Sequence, residues 1–430
     1  MKYTSIEKGL FEGNRKRFAA ALPAGAMAIF NANDEMPRSA DGNFPFRQNA
    51  DLFYLSGIDQ EETVLVVFPN CPNPAFSEAL FLKQTDEHIA VWEGHKYTKE
   101  EARAASGIQN IYWISEFPKV LPMLMNWASS CYLNANEHDR YVHTVPYRDL
   151  RFSNEVRQRW PLMRYERSAP IMQQLRQIKS DAEIVLMQQA MDITEKAFRR
   201  VLKFVKPGVM EYEIEAEIQH EFLRNRATGQ AYGSIIASGP NACVLHYVDN
   251  NMACKDGDLL LMDFGAEYAN YAADLTRCIP VGGKFTKRQA DVYNAVLSVM
   301  KFATSRLVVG NRIDDYHKEV GLAMEEQLIK LGLLDAAAVK KQDPERPLYK
   351  RYFMHGTSHF LGLDVHDVGN KFEPMKAGMV FTCEPGIYIP EEGLGIRLEN
   401  DILITAKGNV DLMARIPLEI KDIEALMASK

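Results

Sequence analysis

Acidic side chains break into strand-like sequence in the second half of this chain, and a sheet tolerates that only with compensation. The stretches LLLMDFGAEY, YAADLTRCIPV, MVFTCEPGIYI and LGIRLENDILI read as buried strands, yet they carry Asp263, Asp274, Glu384 and Glu399. Asp and Glu are poor strand formers, and an ionised carboxylate buried without a partner is costly. HGTSHFLGLDVHD adds His359. Carboxylate-rich sites with one imidazole suit hard or borderline divalent ions, and bridging carboxylates suit two ions side by side.

With 430 residues, the chain exceeds the size at which one hydrophobic core stops growing, so two domains are expected. Short apolar runs (AMAIF, TVLVVF, EALFLK, HIAVWEG) are read as strands. They alternate with helical stretches such as FEGNRKRFAAAL, TKEEARAASG and FPKVLPMLMNWASS. That alternation predicts an α/β domain over residues 1–172. The pattern loosens through WPLMRYERSAPIMQQLR, where the boundary is placed. Ser180 with Glu183, and Thr286 with Gln289, form capping-box patterns that open two long helices. EYEIEAEIQHEFLRNRA and DDYHKEVGLAMEEQLIKLG supply two more. Helices on an antiparallel sheet predict an α+β catalytic domain over residues 173–430.

A net charge of −7, with no basic run interleaved with aromatics, argues against a nucleic-acid partner. The six cysteines show no C-x-x-C pair and read as reduced thiols, which fits a cytoplasmic location. Cys383 adjoins Glu384, but its neighbours offer no cation to lower its pKa. RKRFAAALPAGAMAIF has the outline of a signal peptide. Pro23 and Gly25 interrupt it, and the bland reading is helix, turn and first strand. No stretch has the apolar length to span a bilayer, so no membrane partner is expected.

Each candidate has a rival reading. Asp263 and Asp274, on consecutive strands, meet on one face if the strands pair antiparallel, but D-x(10)-D alone is weak. In GIRLENDILIT, alternation sets Arg397, Glu399 and Asp401 on one side, and a solvated face with an Arg–Glu pair explains them equally well. Glu384 is harder to dismiss, because it interrupts a nearly continuous apolar strand. His355, His359 and His366 crowd one short stretch of a chain with ten histidines. They do not match H-E-x-x-H, and no G-x-S-x-G elbow, P-loop or dinucleotide fingerprint is present.

Five ordered segments carry a resemblance: AYGSIIASGPNACVLHY, LLLMDFGAEYANYAADLTR, YKRYFMHGTSHFLGLDVHDVG, TCEPGIYI and GIRLENDI. Together they resemble the motifs of the pita-bread metallopeptidases, nearest the Xaa-Pro aminopeptidase (aminopeptidase P) branch. FRQNADLFYLSGIDQEE resembles that branch's N-terminal domain. The resemblance implies that Asp263, Asp274, His359, Glu384 and Glu399 ligate two divalent ions, most often Mn²⁺, with Asp274 and Glu399 bridging. His246, His355 and His366 match histidines of the substrate pocket, and Arg397 an arginine bracing the site. Trp92 matches a position that reaches over the active site, often from a neighbouring subunit. Its context WEGHKYT has His95 and Lys96 where an arginine often follows the glycine.

The implied activity is release of the N-terminal residue from peptides with proline second, with Glu384 as proton shuttle. A homo-oligomer, dimer or tetramer, is implied as well. An X-Pro bond has no N–H and proline's φ is fixed, so the pocket must read the ring's shape. The nearest rival is a prolidase restricted to X-Pro dipeptides. A more distant one is an inactive module of the same fold that only binds peptides.

Overall fold

The computed structural model describes residues 3–141 and 144–429. Thr4–Arg176 forms one compact unit and Gln177–Lys430 the other, with Tyr3 joined to the second. Position 172 falls inside the helix Ala169–Arg176, which belongs to the first unit.

The first unit is built on one mixed sheet. Its strands are β1 (Ala26–Asn31), β2 (Val64–Val67), β3 (Glu78–Leu82), β4 (Asn110–Trp113), β5 (Ser130–Leu133) and β6 (Tyr165–Arg167). Their spatial order is β4-β3-β2-β1-β5-β6. Every residue of β1 and β2 is buried, as expected for a sheet covered on both faces. Met27, Ile29, Val64, Val66 and Phe81 face the helices Phe117–Trp127 and Arg148–Arg159. On the opposite face, Phe30 meets Phe18 of the helix Gly9–Ala21 edge-on at 5.2 Å.

One expected strand is a helix. HIAVWEG lies in Glu87–Glu93, opened by the Asp86 carboxylate accepting from the Ile89 N–H and closed by Gly94 at φ 75°. No residue of it is buried, so the apolar run has no sheet to join, and capping decides. Trp92 lies there, 79% exposed. Lys96 is committed to the Glu61 carboxylate.

The second unit opens with the helix Asp181–Phe204, whose Ser180–Glu183 capping box is formed, as is the Thr286–Gln289 box before Lys287–Arg306. Glu211–Arg224 and Ile313–Lys330 are the other long helices. The antiparallel sheet is divided into ribbons. β7 (Ile235–Ser238) pairs with β8 (Leu259–Phe264), followed by β9 (Ala266–Tyr268), β10 (Tyr271–Ala272) and β11 (Leu275–Pro280). β8 pairs with β11, setting Asp263 opposite Thr276. That pairing then gives way to the β9–β10 hairpin, whose turn places Ala269 and Asn270 at φ 52° and 64°. The bend falls at Gly265, where an added Cβ would lie 1.7 Å from the Ala273 carbonyl oxygen.

A second pair of strands is interrupted the same way. Its strands are β12 (Val380–Cys383), β13 (Gly386–Ile389), β14 (Leu394–Arg397) and β15 (Asn400–Thr405). β12 pairs with β15 up to Cys383 opposite Asn400, and β13 with β14 from Gly386 opposite Arg397. Glu384-Pro385 and Leu398-Glu399 occupy the gap. Pro385 has no N–H to give a ladder, and the Leu398 N–H reaches its carbonyl at 3.2 Å. The Glu399 N–H crosses instead to Thr276 O at 3.1 Å, and Glu384 N–H goes to Thr357 O at 2.8 Å. Asp274, Glu384 and Glu399 thus sit at strand interruptions, where the backbone is freed from its ladder, while Asp263 stays in the ladder near the end of β8.

Candidate metal centre

Asp274, His359 and Glu399 each offer a ligand atom, and these atoms lie within 4.8 Å of one another. Asp274 stands immediately before β11, Glu399 at the gap between β14 and β15, and His359 just before Phe360, which bridges to Phe381 of β12. The imidazole is oriented for ligation. Its Nδ1 faces the Phe360 carbonyl at 3.0 Å, and a carbonyl only accepts, so Nδ1 carries the proton. Nε2 is left facing Asp274 at 3.5 Å and Glu384 at 3.7 Å. Burial pulls the His359 pKa down, but the carboxylates of Asp274 and Glu384 outweigh it and leave it above its ordinary value.

Asp263 is not in that tight trio. Its carboxylate is held by Arg397 and, at 2.6 Å, by the Tyr232 hydroxyl, which also contacts Asp274. Glu384 lies at the edge of the group, with its other oxygen 3.8 Å from His355 Nδ1. Burial pushes Glu384 up to about 7, and burial followed by neighbouring carboxylates raises Glu399 well above the usual range. Asp263 is raised by burial despite Arg397.

The chain alone does not complete these acids. A single tyrosine proton serves two carboxylates, and the Thr276 hydroxyl serves Glu399 at 2.6 Å. Four carboxylates and one oriented imidazole nitrogen make an oxygen-dominated donor set that fits divalent cations of the hard or borderline kind. One further acid, Asp401, is fully buried, accepts from the Asp274 N–H at 3.1 Å, and leaves Oδ1 without a hydrogen-bond partner among the described residues.

The surrounding histidines differ in character. His355 is held between the Gly356 carbonyl at Nδ1 and the Tyr388 hydroxyl at Nε2, each 2.8 Å away. Because Nδ1 must donate, Nε2 accepts from Tyr388, whose oxygen accepts in turn from Arg397 at 2.9 Å. Burial, then the Arg397 charge, push the His355 pKa down to about 3, so the ring is neutral. His366 is exposed and meets His359 edge-on, with ring centres 4.4 Å apart. His246 is exposed and close enough to His355 for its charge to count there.

Two expectations from the strand pattern fail. Arg397, Glu399 and Asp401 are 4%, 2% and 0% exposed, so no solvated face exists there. Strict alternation fails as well, because β14 ends at Arg397 and β15 begins at Asn400. The Cys383 thiol is buried and pushed up to about 12 by that burial, which makes it inert at neutral pH. Sequence reasoning missed Tyr232, Tyr388, Thr276 and Asp401 as contributors. The tyrosines lay inside the motifs AYGSII and GIYI, where an aromatic at a strand position looks like core.

Residues 185–406 match the model of metallopeptidase family M24, and residues 11–132 match the aminopeptidase P N-terminal domain. The Xaa-Pro aminopeptidase of Haemophilus influenzae is 37% identical over 437 residues, covering 98% of each chain. Aminopeptidase P of E. coli with the inhibitor Pro-Leu superposes with a TM-score of 0.88 at 33% identity, over 99% of both chains. A zinc-substituted form of the E. coli enzyme with product matches equally, with a TM-score of 0.88 at 33% identity over 99% of both chains.

Proposed function

Because the chain belongs to metallopeptidase family M24, we propose that Asp263, Asp274, His359, Glu384 and Glu399 hold two divalent ions, Mn²⁺ by preference, at its active centre. The activity is that of a metal-dependent aminopeptidase releasing the first residue of peptides whose second residue is proline. The observation that supports the metal assignment best is the trio Asp274, His359 and Glu399, whose ligand atoms lie within 4.8 Å of one another. By the same reading, residues 1–172 are the aminopeptidase P N-terminal domain and 173–430 the catalytic one. The protein works in the cytoplasm as a dimer or tetramer.

When bound, the ions supply Lewis-acid polarisation and lower the pKa of water towards neutrality. The remaining work falls to side chains of the chain. Glu384 takes the proton of the attacking water and passes it to the proline nitrogen as that nitrogen leaves. His366 donates towards the substrate carbonyl oxygen as it gains negative charge. Arg397 serves two groups, holding Asp263 by its guanidinium and Tyr388 by a hydrogen bond of 2.9 Å. Tyr388 then keeps His355 in one tautomer, so His355 and His246 wall the proline ring without gripping an N–H that proline lacks.

Incubation of Mn²⁺-loaded protein with Gly-Pro and with Gly-Pro-Ala-Ala, followed by mass spectrometry, tests this directly. Glycine should leave the tetrapeptide. Turnover of the dipeptide alone would put a prolidase in its place. Stripping the protein of metal should abolish turnover, and Mn²⁺ should restore it more fully than Zn²⁺.

A further inference from the structure

We infer that the buried ion pair Lys179–Asp367 is a positioning device that sets His366 beside His359, an inference that rests on the catalytic reading of His366 given above. The pair is 3.0 Å apart and each side chain is 1% exposed. A buried pair of this kind is often no more stabilising than well-packed apolar residues, so stability alone does not account for its placement. Asp367 directly follows His366, and its N–H donates to the Phe360 carbonyl at 2.9 Å. That bond closes the segment 360–367 and brings His359-Phe360 alongside His366-Asp367, with the two imidazoles edge-on at 4.4 Å.

The segment has little regular structure of its own. Its first half is tied by the Leu361 N–H to Val380 O at 3.1 Å, and Gly362 O accepts from Ala272 N–H at 2.9 Å. Lys179 reaches its second half from outside. Its backbone N–H is fixed to Gly378 O at 2.8 Å, one residue before the Ser180 cap of the long helix. The approach needs a gap, and Gly362 provides it. A Cβ there would lie 2.2 Å from the Asp367 carboxylate and 2.9 Å from Lys179 Cε. The ammonium therefore fixes the end of the segment that carries His366, while the sheet fixes the end that carries His359.

The test replaces both charges with apolar groups (Lys179→Met with Asp367→Leu), so that neither charge is left buried alone. Thermal unfolding and Mn²⁺ binding should stay close to the parent. KM for an X-Pro-Y peptide should hold within about twofold, while kcat falls about tenfold or more, since small misplacements of a reacting group are that costly. In a His366→Ala background the same pair of changes should cost nothing further in kcat. A further, additive fall there, or loss of Mn²⁺ binding, would show that the ion pair merely supports the fold and would overturn the inference. Full kcat in His366→Ala alone would instead remove the reading of His366, and the inference with it. If the apolar pair does not fold, Lys179→Arg takes over. It keeps the charge but alters its reach, and should lower kcat partly at unchanged KM, whereas parental kcat overturns the inference.

Discussion

Both units bury carboxylates, and Asp149 of the first and the clustered acids of the second are held in opposite ways. In the first unit Asp149, 2% exposed, accepts from the Asn31 amide and backbone at 2.8 and 3.3 Å, from Asn134 at 3.1 Å and from Asn49 at 3.3 Å. Its donors are neutral and numerous, and they tie a strand, a helix start and a loop together. In the second unit Asp263, Asp274, Glu384 and Glu399 face one another and share few donors. Donor count separates the two cases better than burial does. An acid ringed by amides finds its hydrogen-bond donors within the chain, whereas acids facing acids leave room for an outside cation.

The largest effect expected from this contrast comes from removing one acid of each kind. Glu399→Gln should reduce kcat/KM by about a thousandfold or more, on the scale of losing a principal electrostatic group. The same change should raise the melting temperature of metal-free protein, because burial and repulsion from the neighbouring acids make it costly to fold a group that is ionised in the unfolded chain. Asp149→Ala should do the reverse, leaving catalysis in place and costing about 1–3 kcal/mol as buried amides lose their acceptor. Calorimetry beside peptide kinetics reads both, and a Glu399→Gln protein that melts below its metal-free parent would contradict the repulsion argument.

How far the sequence reached follows from the same contrast. Asp263, Asp274, Glu384 and Glu399 stood out because an acid in an apolar strand has no cheap local explanation. The capping boxes at Ser180 and Thr286 were equally legible, being short-range patterns. What stayed hidden depends on contacts distant in sequence. Asp149 lies in a polar helical stretch, and nothing local shows that Asn31 and Asn134 converge on it. Tyr232 and Tyr388 were indistinguishable from core aromatics until their hydroxyls had partners. The run HIAVWEG misled because strand propensity describes a half-buried surface, and no sheet covers that segment.

Titration gives the next largest difference. Burial outweighs its donors and raises the Asp149 pKa from 3.8 to about 7. A carboxyl whose folded value lies above its unfolded value favours the folded state at low pH, and that contribution drains away as pH rises towards 7. Asp149→Asn removes the dependence. Its stability relative to the parent should therefore improve by about 1.4 kcal/mol for each pH unit between roughly 4 and 7. Urea unfolding of the first unit, followed by a probe confined to it, checks this, and a constant difference across that window would rule it out.

Divalent ions should separate the two units next. Mn²⁺ at a hundred times its dissociation constant should stabilise the second unit by about 2.7 kcal/mol. The first unit, whose buried Asp149 already has its donors, should gain nothing. Hydrogen exchange resolved by peptide distinguishes them. Slowing confined to segments around Asp263, His359, Glu384 and Glu399 is the expected pattern, reversed by a chelator. Equal slowing around Asp149 would mean that donor count does not decide where ions act.

The smallest effect is also the most discriminating, because it places an acid of the first kind inside the second unit. Glu211 is fully buried and accepts from Ser238 N–H at 2.8 Å, Asn241 at 3.1 Å, the Tyr247 hydroxyl at 2.7 Å and Met252 N–H at 2.9 Å. These four bonds secure both ends of the segment that carries His246. Glu211→Gln sets an amide N–H₂ against donors it cannot satisfy, at about 1–2 kcal/mol. Amides of residues 239–252 should then exchange faster, with KM rising a few fold through His246 and Mn²⁺ affinity unchanged. Should Mn²⁺ affinity fall instead, Glu211 would belong with the acids that face a cation, and counting donors would no longer tell the two kinds apart.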